Sequence, residues 1–294
     1  MVIFLPPARR TARKALGGAP GSGNVSRYRV GCTGWGYDDW TGPFYPAGTP
    51  AAEYLARYAR VFDLTEVDSS FYRAPSPFLA RRWAAQTPPE FRFAMKVPQE
   101  VTHRAAEPFN SQGLRTFLQG IEPVRSAGKL GPLVAQFPPS FKRAAGAARL
   151  TEIVEAIPRE YRLAVELRHA SWWEDETVRL LEGRGAALIW SVYPGVHPPY
   201  RATADFLYAR FVGDRALTTF DRIQRDATPA MEEMKRRFED EGRSARDVFV
   251  LLNNHFMGFG PGTAQRMQEV LGVPKADLTA AQRGPGQPTL SRFG

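Results

Sequence analysis

Eight short apolar runs recur along the chain, at residues 28–33, 64–70, 91–97, 132–137, 161–168, 187–192, 206–212 and 248–254, and nearly every one ends in a polar or charged residue. Amphipathic stretches fill most of the intervals. Residues 51–62 are an example, with Tyr54, Leu55, Tyr58, Val61 and Phe62 at helical spacing. Further helices are expected at 78–86, 111–127, 148–156, 175–183, 227–242 and 263–271, and none directly after the sixth run. Regular alternation of strand and helix predicts an α/β chain folded as a single (β/α)8 TIM barrel. Such a barrel builds its active site where the strands end, so the strand ends say where to look for function.

A length of 294 residues suits one such domain, and an apolar share of 43% suits a packed core. The organisation expected is a flexible basic extension over 1–26 (with Arg9, Arg10, Arg13 and Lys14), a barrel over 27–274 and a flexible tail over 275–294. No apolar run approaches the roughly 18 residues of a membrane-spanning helix, so no membrane partner is expected. The single cysteine, Cys32, excludes an intrachain disulfide and is read as a small buried residue of the first strand, which fits the cytoplasm. A net charge of +9 favours anionic partners, either small molecules or nucleic acid.

Side chains alternate along a strand, and in a barrel one of the two faces lines the interior. Sorting each strand by its less uniformly apolar face gives a polar interior set: Glu66, Asp68, Lys96, Gln136, Glu166, Arg168, Arg210 and either Asn253 or Asn254. On the second run Ser70 falls on the same face. Three acids and three bases are thus expected near one end of the barrel, where burial demands pairing. The bland alternative is that this layer only fills the barrel. Apolar residues usually fill such layers, so some of these charges are expected to handle a ligand.

Three motifs bear on chemistry. Glu166, Arg168 and His169, with Trp172 and Trp173 nearby, can supply an ionised carboxylate and a bidentate clamp for phosphate or carboxylate. Lys96 can contact an anion or act as an amine catalyst, and Asp68 with Glu166 can form an acid–base pair. The glycine-rich turn 258–263 leads into the last helix with Thr263 read as its N-cap, so Gly260, Gly262 and Thr263 are candidate phosphate ligands. Trp35 and Tyr72 belong to a group of aromatics at the expected mouth that can pack together or stack on a ligand. The four histidines, His103, His169, His197 and His255, form no short metal motif. A divalent cation held by Asp68, Glu166 and asparagine, or by His103 or His255, is the remaining cofactor option.

The segments 30–46, 65–76, 93–103, 129–141, 164–173, 207–213 and 250–260, in that order, resemble the YecE-like family, a domain of unknown function, over most of the chain. They include VGCTGWGYDDWTGPFYP, TEVDSSFYRAPS, AVELRHASWW and VLLNNHFMGFG. The resemblance implies a (β/α)8 barrel and no established reaction. Two departures stand out. Family members tend to end strand seven in His-Gly where this chain has Val212-Gly213, and to open the last helix with Asn-Ala where it has Thr263-Ala264. If the absent His takes part in chemistry, the resemblance implies altered or lost activity.

Together these readings give an expected enzyme, a hydrolase or lyase acting on an anionic, phosphorylated or nucleotide-containing substrate. Arg168, Arg210 and Lys96 would bind the anion, Glu166 or Asp68 would move a proton or hold a metal, and Gln136, Tyr72, Trp35, His169, Asn253 and Asn254 would position the substrate. The alternatives are a nucleic-acid-binding protein without catalysis, or a degenerate barrel used as an interaction module.

Overall fold

The computed structural model describes residues 27–104 and 107–284; the basic extension and the last ten residues of the expected tail lie outside them. Nine parallel strands form a nearly closed barrel: β1 (Arg27–Thr33), β2 (Leu64–Val67), β3 (Arg92–Lys96), β4 (Leu130–Gln136), β5 (Leu163–Glu166), β6 (Ala187–Leu188), β7 (Trp190–Val192), β8 (Phe206–Phe211) and β9 (Asp247–Leu252). Their order is β6-β5-β4-β3-β2-β1-β9-β8-β7. The sixth apolar run therefore supplies two strands. β6 pairs with β5, β7 pairs with β8, and Ile189 lies between them.

The helices are α1 (Tyr54–Tyr58), α2 (Ser69–Tyr72), α3 (Pro77–Ala85), α4 (Gln99–Thr102), α5 (Ser111–Ser126), α6 (Arg143–Ala156), α7 (Asp175–Arg184), α8 (Thr228–Glu241), α9 (Asn254–Met257) and α10 (Gly260–Leu271). The sixth run is followed by no helix, as expected. The second run is shorter than its apolar pattern: the chain turns into α2 after Asp68. This takes Ser70 off the inward face, and its hydroxyl donates to the carbonyls of Val67 and Lys96. None of the helices in the described residues is long and apolar enough to cross a membrane.

Two apolar layers follow from strand alternation. Leu64, Ala94, Val134, Ala164, Ile189, Phe206, Phe249 and Leu251 fill the barrel, while the outward residues pack under the helices. The loop after β1 adds to the outer core rather than covering the mouth. Trp40, Phe44 and Tyr45 are fully buried, and Tyr45 stacks on Tyr54 at 4.5 Å. Cys32 is fully buried as expected, with burial pushing its thiol pKa up. Residues 275–284, read from sequence as the start of the tail, are packed instead. Ala276, Ala280 and Ala281 are buried, and the Ala276 N–H donates to Gln268 Oε1. Their small apolar side chains fit where a polar average had suggested solvent.

Candidate active site at the strand ends

Above the apolar plug the inward positions turn polar, and they form one connected layer. Arg210, on β8, is its centre. One Nη donates to Glu66 Oε1 on β2 at 2.6 Å and the other to Glu166 Oε2 on β5 at 2.5 Å. The same Nη1 reaches Gln136 Oε1 on β4 at 3.3 Å. Glu66 also accepts from the Tyr208 hydroxyl at 2.7 Å, and Glu166 from the Ser191 hydroxyl at 2.8 Å and from Arg168. Both carboxylates are 0% exposed, so neither meets solvent.

The two acids are shifted in opposite directions. Burial pushes the Glu66 pKa up, by more than Arg210 lowers it. Burial also opposes ionisation of Glu166, but Arg210, Arg168 and the Ser191 hydroxyl outweigh it and hold its pKa at about 2. Arg210 is pushed further up, because its two carboxylates overcome its own desolvation. Arg210 thus joins both carboxylates, while its own buried Nε has no partner among the described residues.

Nearer the solvent the pairing is again incomplete. Lys96, on β3, donates to Gln136 Oε1 at 3.0 Å and lies 3.3 Å from Asp68 Oδ1. That second contact lacks hydrogen-bond geometry, so Asp68 Oδ1 is buried without a donor. The Asp68 side chain as a whole is 34% exposed, the most open acid of the group. Lys96 Nζ also sits 4.5 Å from the centre of the Phe71 ring. Arg168 gives Nη2 to Glu166 and lies over the Tyr193 ring at 4.9 Å, while its buried Nε has no partner among the described residues. His103 packs edge-on to Phe71, its Nδ1 2.9 Å from the Thr102 hydroxyl. Burial, then the charges of Lys96 and Arg168, lower its pKa to about 4, so the ring is neutral at pH 7.

The structure thus gathers Glu66, Asp68, Lys96, Gln136, Glu166, Arg168 and Arg210, as strand alternation predicted. It adds Tyr208 and Ser191, which the same alternation places inward, and His103, Phe71 and Tyr193, which come from loops or short helices without a strand period. Val212, one residue beyond β8, is buried. The next residue, Gly213, has φ of +80° and leaves room for no side chain: a Cβ there would lie 2.2 Å from the His255 carbonyl oxygen.

Other expected site residues are placed elsewhere. Tyr72 is 73% exposed on the outside of α2. Trp35 packs on Trp83 and Phe93. His169 Nδ1 caps the turn 170–172 by accepting the Ser171 N–H. Asn253 caps α9 by accepting from the His255 N–H, and Asn254 Oδ1 accepts from Trp40 Nε1 at 3.1 Å and from the Gly260 N–H at 2.7 Å.

The phosphate reading of the last glycine turn is corrected by the same bonds. Helix α10 starts at Gly260, so Thr263 lies in its first turn and is not its N-cap; its N–H and hydroxyl both donate to the Phe259 carbonyl. The Gly260 N–H is already bonded to Asn254 Oδ1, Pro261 has none, and the Thr263 N–H is spent on the Phe259 carbonyl. A cation site on Asp68 and Glu166 is not assembled either. Both Glu166 oxygens are engaged, and no group of three His, Cys, Asp or Glu able to hold a metal forms among the described residues.

Comparison with known proteins gives a consistent family. The family model described as protein of unknown function DUF72 matches residues 29–288. The chain is 26% identical over 280 residues to the UPF0759 protein YunF of Bacillus subtilis, covering 86% of this chain and 98% of that protein. It is 32% identical over 136 residues to the UPF0759 protein YecE of Escherichia coli K12, covering 45% of this chain and 49% of the relative. Among solved structures, a DUF72 family protein from Thermotoga maritima superposes with a TM-score of 0.71 at 27% identity, over 84% of this chain and 99% of that one. A DUF72 family protein from Enterococcus faecalis shares the fold, with a TM-score of 0.69 at 23% identity over 89% of this chain and all of that one.

Proposed function

The chain belongs to the DUF72 family, and from that premise we propose that its strand-end mouth binds and turns over a small anionic, phosphorylated substrate in the cytoplasm. The observation that carries this reading is Arg168. Its side chain is 10% exposed, spends one nitrogen on Glu166 and leaves the buried Nε without a partner among the described residues. A buried donor left unsatisfied costs roughly 1–3 kcal/mol, and an anion bound at the mouth removes that cost. Lys96, beside it, supplies a second positive charge.

In this reading Arg168 and Lys96 hold the anion. Asp68, the exposed acid, accepts a proton, and neutral His103 offers a second proton carrier, as a hydrolase or lyase requires. Glu166 has no exposed oxygen, so its role moves from catalysis to positioning Arg168. Glu66, Arg210 and Gln136 brace the same layer.

A thermal-shift panel of phosphorylated metabolites tests this. At 100-fold excess over Kd a true ligand stabilises the fold by about 2.7 kcal/mol. That stabilisation is expected to vanish in Arg168→Ala, to return in part in Arg168→Lys, and to persist without turnover in Asp68→Asn. Stabilisation unchanged in Arg168→Ala, or none with any compound, overturns the reading.

A further inference from the structure

Among the described residues, the large apolar side chains left exposed are Tyr72 at 73%, Phe78 at 67%, Ile223 at 43% and Leu79 at 36%. Three of these four fall in the stretch 72–79, which joins α2 to α3. Because α2 follows β2 directly, this stretch lies at the rim of the mouth, with the Tyr72 ring edge-on to Phe71 at 5.3 Å.

Its charge is equally one-sided. Helix α3 has the sequence PFLARRWAA, with no acid in it. Phe78, Arg81 and Arg82 stand at i, i+3 and i+4 and share its outer face. Arg73, Arg81 and Arg82 are all exposed, and none forms an ion pair among the described residues. Several arginines on other helices, Arg57, Arg125, Arg149 and Arg236, do pair with a glutamate three or four positions away. Beside the rings a groove of about 550 Å³ runs between α3 and α5, with Ser69, Ser76, Thr116 and Gln119 in its lining.

We propose that this rim binds single-stranded nucleic acid, with bases stacked on Tyr72 and Phe78 and phosphates on Arg73, Arg81 and Arg82. Isolated exposed rings between unpaired guanidiniums match the faces and the backbone of an unpaired strand. A duplex hides its base faces. The groove's apolar wall, with Leu79 and Trp83, can take a base face, and Ser76, Thr116 and Gln119 can meet base edges. The site does not depend on the Arg168 anion pocket.

Fluorescence anisotropy of a labelled mixed-sequence DNA oligonucleotide with the full chain tests it. Three neutralised phosphates give log K against log salt a slope of about −2, at roughly −0.7 each for single strands. Tyr72→Ala/Phe78→Ala is expected to weaken binding about 100-fold, about 10-fold per ring. Arg81→Ala/Arg82→Ala is expected to flatten the slope to about −0.7. These side chains are exposed, so the melting temperature should hold in both variants. Arg168→Ala should leave oligonucleotide affinity unchanged, which separates failure here from failure of the metabolite pocket. The proposal is overturned by absence of binding, by binding that neither variant weakens, by equal affinity for duplex or for anionic lipid vesicles, or by a dimer in sedimentation that Phe78→Ala dissolves.

Discussion

Glu66 and Glu166 both reach the Arg210 guanidinium, but Glu166 has two further donors, Arg168 and Ser191, whereas Glu66 has only Tyr208 and stands near the charge of Asp68. Substitution by glutamine should separate them. Glu166→Gln leaves Arg210 and Arg168 short of charge in a buried layer and is expected to cost roughly 3–5 kcal/mol. Glu66→Gln keeps a neutral hydrogen-bonding group where burial already favours one, and about 1 kcal/mol is expected. The pH dependence follows the same signs. The Glu166 pKa is depressed to about 2 from an ordinary 4.5, so its contribution is complete above about 4.5 and is lost as pH falls toward 2. The Glu66 pKa is raised, so Glu66 opposes stability above its ordinary value and that opposition fades in acid. Urea titrations of both variants between pH 2.5 and 7 read these differences. Equal costs at pH 7 would show that the two acids are equivalent.

At the scale of elements, the β9–α10 connection shows where strand periodicity stops being informative. Alternation offers either Asn253 or Asn254 to the interior, yet the strand ends at Leu252 and both residues serve the turn that follows. Asn253 caps α9, and Asn254 ties Trp40 of the first loop to the start of α10. Asn254→Ala strands two buried donors, and a loss of roughly 2–3 kcal/mol is expected in chemical denaturation. A loss below about 1 kcal/mol would mean that the Trp40 indole and the Gly260 amide find other acceptors. The same limit explains Thr263, a good N-cap by residue type that the packing of Gly260 under Trp40 places inside the helix. It also explains His103, which α4 positions without any strand period to announce it.

For the whole molecule, the barrel and its charged end were legible because each strand carries its own parity, and parity alone selects Glu66, Lys96, Glu166 and Arg210. What parity does not carry is who pairs with whom: Glu66 and Arg210 are 144 residues apart and meet only when the barrel curls. The break at Ile189 was equally hidden, since the sixth run reads as one apolar strand. Around that break the main-chain ladder of the sixth stave changes neighbours and thins, and side chains reinforce it. Below it the Thr203 hydroxyl accepts from the Leu188 N–H and donates to the Ala186 carbonyl; above it Ser191 reaches across to Glu166. At the break itself one main-chain bond, from the Ile189 N–H to the Val165 carbonyl at 2.9 Å, works beside hydroxyls and a carboxylate, so the ring should breathe at that joint before it breathes anywhere along β8 and β9, whose ladder runs unbroken from Phe206 to Phe211. Deuterium uptake is expected to be faster in peptides covering 163–168 and 187–192 than in those covering 206–211 and 247–252, and faster still in Glu166→Gln; uniform uptake would mean that the fastening is as firm as the ladder. The charged layer at the strand ends would then also be the clasp that keeps the cylinder shut.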